Sequence, residues 1–140
     1  MNPQLSITDL AGAQKLIDWF GCWPSFHDAE VISIELNREG VSKLRVHFFS
    51  TRNRTNDRGY YITENHAIVS FILEDIAQLE LNGFNHQNVL SSISVNPVDT
   101  QYEIILGDCY GVSGRILASK LSFELEPGMP GKSVYAETIS

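Results

Sequence analysis

His27, Asp28 and Glu30 fall within four positions of one another in the stretch WFGCWPSFHDAE, residues 19–30. An imidazole beside two carboxylates is the residue set of a general base or a metal site, because imidazole titrates near neutrality and a carboxylate partner raises its basicity. The spacing argues against convergence. On an extended chain adjacent side chains point to opposite faces, so Asp28 and Glu30 share a side and His27 lies on the other. No HExxH helix or paired CxxC accompanies them, and His47, His66 and His86 show no metal-ligand spacing. No metal and no cofactor is therefore expected. The favoured reading is structural: Phe26 fills the core while His27, Asp28 and Glu30 hold the turn into a strand, satisfying their polar groups there. A metal-binding or small hydrolytic protein built on His27, Asp28 and Glu30 is the competing reading.

Two further groups invite chemistry. A reactive thiol at Cys109 would need nearby positive charge, and Asp108 has the wrong sign. GxGxxG, GxxxxGK[ST] and GxSxG are all absent, so no enzyme is expected. Arg52, Arg54 and Arg58, with Tyr60 and Tyr61 beside them, form a candidate partner-binding segment. Guanidinium groups grip carboxylates or phosphates. Three cations are too few for nucleic acid, and a net charge of −7 opposes phosphate binding by the surface as a whole. The same charge suits a basic protein partner or serves solubility alone.

The elements that must position these residues follow from periodicity. SITDLAGAQKLIDWFG places Leu10, Ala13, Leu16, Ile17 and Phe20 on one helical face, with Ser6 or Thr8 at its start and Gly21 at its end. Trp19, Trp23 and Phe26 surround the helix end as a core anchor, and Pro24 biases Trp23 towards an extended backbone. From Glu30 the period becomes two: Ile32, Ile34 and Leu36 share a side, NREG turns, and Leu44, Val46 and Phe48 return as a hairpin partner. Residues 52–65 read as a long loop or the tip of another hairpin. A strand is expected over 66–74, and 75–82 is left open between helix and strand. Three more strands follow: one ending near Pro97, one with Tyr102, Ile104 and Leu106 on a face, and one alternating Leu117, Ser119, Leu121, Phe123 and Leu125.

One helix and about six consecutive strands predict an α+β fold, an antiparallel sheet with the amino-terminal helix packed on one face. At 140 residues, 43% apolar and 19% charged, the chain is expected to form a single domain over 1–128 with a loose tail over 129–140. Cys22 and Cys109 are read as free thiols; with no signal peptide and no apolar span, a cytoplasmic protein without membrane contact is expected.

A helix ending in FG followed by CWPSFHDAEVISIEL resembles the amino-terminal signature of the immunity protein 50 family of bacterial polymorphic toxin systems. The matching residues are Gly21, Trp23, Pro24, Ser25, Phe26, His27, Asp28 and Glu30, followed by the strand Val31 to Leu36. The resemblance implies a small cytoplasmic binding module that occludes a cognate toxin domain encoded by an adjacent gene, without catalysis. Contacts that set paired specificity diverge, so they are expected in the Arg52–Asn65 segment or on exposed acidic positions. A self-associating structural domain is the remaining alternative.

Overall fold

The computed structural model describes residues 6–55, 61–131 and 133. Alternating apolar and polar residues build six strands: β1 (Glu30–Glu35), β2 (Ser42–Thr55), β3 (Tyr61–Asn82), β4 (Val89–Val98), β5 (Gln101–Tyr110) and β6 (Ser113–Pro127). All pair antiparallel, in the order β1-β2-β3-β6-β5-β4, and one helix, α1 (Ala13–Phe20), packs against them. The α+β fold read from the sequence is the fold observed. In addition, the sheet closes on itself into a barrel.

Closure is confined to a short seam. Glu30 pairs with Val89, and around it the amides of Asp28, Leu90 and Val31 donate to the carbonyls of Leu90, Ala29 and Asn88. Glu30–Val89 is the one ladder pair between β1 and β4 among the described residues. Asn88 braces the seam. Its Oδ1 accepts from the amides of Asn85 (2.8 Å) and Val112 (3.3 Å), and the residue is buried. Gly111 must lack a side chain here, because a Cβ would lie 2.8 Å from that oxygen.

The amino-terminal segment is not one helix. A 3-10 turn over Ile7–Asp9 is separated from α1 by Gly12, which has φ +87°. The cause is close approach: a Cβ on Gly12 would sit 1.9 Å from the Phe123 carbonyl oxygen, and the Phe123 amide donates to Ala11 O. Ser6 makes no side-chain cap, whereas Gly21 ends α1 in the left-handed conformation with its amide on Ile17 O, the expected helix stop. Ala13, Leu16 and Phe20 form the buried face. Phe26 packs on Phe48 and Phe71, with centroids at 5.2 and 5.4 Å, and Phe71 and Trp23 both meet Phe123 edge-on. Trp19 is half-buried; its Nε1 donates to Asn65 O, and Asn65 Nδ2 returns a bond to Trp19 O.

Three irregularities overturn details of the sequence reading. In β1 the register slips between Val31 and Ser33, so Val31 and Ile34 face the core instead of Ile32, Ile34 and Leu36. In β3 the chain continues as strand through 75–82, but Asp75 takes φ +56° and the register shifts between Ile76 and Gln78. Ile76 therefore follows Leu73 onto the core side, and its partner Ala118 does the same in β6. The buried positions of β6 thus change phase between Ala118 and Leu121, in place of the unbroken alternation from Leu117 to Leu125. Within the 52–65 segment, 52–55 and 61–65 are strand backbone of β2 and β3, and 56–60 lie outside the described residues.

Candidate functional site

The junction after α1 is built from two strained turn residues. Phe26 has φ +60° and Asp28 φ +66°, and the Ala29 amide donates to Phe26 O. A positive φ costs a non-glycine residue about 1–2 kcal/mol; complete burial of the Phe26 ring among Phe48 and Phe71 offsets it. The turn swings His27 outward, where its side chain is 70% exposed and Nδ1–H donates to Ser91 O at 3.0 Å. His27 Nε2 lies 3.6 Å from Asp28 Oδ2, so these two meet in spite of the alternation expected of an extended chain. Glu30 turns away from both. The sequence cluster His27, Asp28 and Glu30 does not converge.

Glu30 instead heads a second constellation. Directly across the hairpin from it stands His47, fully buried, whose Nδ1 bonds Glu30 Oε1 at 2.6 Å. His47 Nε2 is 2.9 Å from His66 Nδ1 on β3, and Ser133 Oγ donates to the same Glu30 oxygen. Phe49 packs beside both imidazoles, with centroids 5.8 Å from His47 and 5.3 Å from His66. The carboxylate fixes the His47 proton on Nδ1, leaving one proton to be shared between the facing nitrogens of His47 and His66. Burial holds the His66 pKa below its ordinary value; the neighbouring His47 adds to the depression and Glu30 opposes it. Ser133 is buried at this point, so the chain just beyond β6 docks on the barrel.

Chemically the chain of groups can hold and relay a proton. Glu30 and His47 are closed off from solvent, however, and among the described residues no group of three or more His, Cys, Asp or Glu could hold a metal ion. Its position across β1, β2, β3 and the carboxy-terminal segment makes it a polar clamp on the outer side of the barrel. Sequence reasoning left His47 and His66 unpaired. Counting back from the NREG turn along the outer part of the hairpin sets Glu30 opposite Phe48; the slip after Val31 moves it to His47. No local signal marks that slip.

The candidate partner segment is placed only in part. Arg52 and Arg54 belong to β2 and Tyr61 to β3 by backbone; their side chains, together with Arg58 and Tyr60, lie outside the described residues. The side chain of Cys109 does too, while Cys22 is a free, exposed thiol.

Against this geometry, the family model described as immunity protein 50 matches residues 12–124, about four fifths of the chain. The chain belongs to the immunity protein 50 family. The match begins at Gly12, where the backbone touches Phe123, and ends one residue past that contact, so it spans α1 and nearly all of the barrel. Glu30, His47 and His66 lie inside it and Ser133 outside. No curated protein and no solved structure gives a significant match. Among the described residues no helix is long and apolar enough to cross a membrane.

Proposed function

We propose that this immunity protein 50 family member binds a cognate bacterial toxin domain, encoded by an adjacent gene, and neutralises it in the cytoplasm by occlusion. The observation that carries the reading is the family match over residues 12–124. The net charge of −7 supports it, because an acidic binder speeds encounter with a basic target and rejects partners of its own sign. Occlusion requires no reaction from the inhibitor, and three of the polar residues that could do chemistry are engaged within the fold: His27 bonds a backbone carbonyl, and Glu30 and His47 are buried against each other.

The test is co-expression with the carboxy-terminal domain of the toxin encoded next to this gene. Growth rescue and co-purification at one-to-one stoichiometry are expected. Toxicity undiminished by a soluble, folded protein would refute the proposal.

A further inference from the structure

β3 outlasts its neighbour. β2 begins at Ser42, opposite Leu73, so from Glu74 to Asn82 the strand pairs with β6 alone among the described residues. Each strand directs alternate N–H and C=O groups to either side, so a nine-residue edge offers roughly four donors and four acceptors to any incoming strand. On that side lies a notch of about 450 Å³ between the end of the β1–β2 hairpin and β3; Leu36 and Arg38 line one wall, and Asp75, Ile76 and Leu79 the other.

The notch is apolar where a barrel interior runs out. Leu79 pairs with Ile116, which is fully buried, so it stands on the core-facing side of β3. It is nonetheless 40% exposed, because β2 has already ended, and Leu36 on the opposite wall is 49% exposed. Charge selects the occupant. Glu74, Asp75 and Glu80 stand along the edge. The cations on neighbouring strands are engaged: Lys120 Nζ lies 3.9 Å from Glu74, and Arg115 bonds Glu103 and Gln78. A second copy adding antiparallel to the same edge would bring its own Glu74 and Asp75 against Glu80, which like-charge pairing disfavours. A strand carrying Lys or Arg beside an apolar residue meets opposite charge along β3, from Asp75 and Glu80, and among the residues lining the notch faces a like charge only at Arg38 on the far wall.

We propose that an extended segment of the toxin adds to the free edge of β3 over residues 75–82, seating an apolar side chain between Leu36 and Leu79 and basic side chains beside Asp75 and Glu80. This rests on the immunity reading and names its surface. Strand addition draws affinity from main-chain bonds and specificity from alternate side chains, so it lets paired toxins diverge without altering the fold.

The experiment compares wild type with Leu36→Lys, Leu79→Lys and Asp75→Asn/Glu80→Lys, each checked for folding by circular dichroism, in binding to the neighbouring toxin's carboxy-terminal domain. Asparagine tolerates the left-handed backbone at position 75. Folded variants are expected to bind at least ten times more weakly, and amides within 75–82 of wild type to gain hydrogen-exchange protection in the complex. Equal binding by folded notch variants, or protection elsewhere only, overturns the proposal while the immunity reading stands. So does loss confined to Arg52→Glu/Arg54→Glu/Arg58→Glu, or a wild-type dimer that Leu79→Lys dissociates. A wild type that captures no toxin sinks both.

Discussion

Replacing Glu30 with alanine measures how much the polar clamp holds. The substitution leaves the backbone of the β1–β4 seam in place but removes the acceptor for His47 Nδ1–H and Ser133 Oγ–H. Each hydrogen bond to a charged group contributes roughly 1.5–3 kcal/mol net. Removing one partner of a buried pair costs about 3–5 kcal/mol, because the other is left in a dry site. Both routes converge near 4 kcal/mol, against a total stability of about 5–15 kcal/mol for a native domain. For a chain of this size that loss lowers Tm by roughly 8–16 °C, at about 2–4 °C per kcal/mol. Thermal unfolding at pH 7.5, followed by far-ultraviolet circular dichroism, reads it directly. Glu30→Gln keeps the volume and an acceptor oxygen and is expected to lose about half as much. A Glu30→Ala melting point within about 3 °C of wild type would refute the clamp, since that corresponds to about 1 kcal/mol, the size of one ordinary neutral hydrogen bond.

The depressed pKa of His66 sets a pH dependence. Above its ordinary value of 6.5 both folded and unfolded forms are neutral; below it the unfolded chain binds the proton first, so stability falls as pH drops from 6.5 to the lower folded value and then levels off. His66→Gln is expected to flatten that part of a stability–pH curve measured by urea unfolding. Gly12→Ala places a Cβ 1.9 Å from Phe123 O at φ +87°, and is expected to destabilise by more than about 2 kcal/mol or to yield insoluble protein. Asn88→Ala removes the acceptor of two amides and puts alanine at φ +48°, a loss of about 2–4 kcal/mol in chemical denaturation. His27→Ala, at an exposed site, is expected to change stability by no more than about 1 kcal/mol in the same assay.

Local pattern made most of the elements legible. The alternation of Leu44, Val46 and Phe48, and of Tyr102, Ile104 and Leu106, is a direct readout of burial, because period two on a strand places every second side chain in the core. Gly21 marked the helix stop because few other residues reach its backbone conformation at no steric cost. Where the backbone departs from regularity the pattern misleads: Gly12 splits the first helix, and Asp75 shifts the phase of β3 so that 75–82 fits neither period cleanly.

By itself, then, the sequence determined the elements, the α+β class and the WFGCWPSFHDAE signature, all of which depend on neighbours a few residues apart. Only the tertiary structure decided what His27, Asp28 and Glu30 do. Two left-handed turn residues and one slipped register separate them, sending His27 to a backbone carbonyl at the surface and Glu30 to His47 and His66 from two other strands. The same holds for the edge of β3 from Glu74 to Asn82, which among the described residues pairs with β6 alone because β2 begins at Ser42. Pairings between distant strands depend on the sum of every bulge and turn between them, and a one-residue slip moves a side chain to the opposite face.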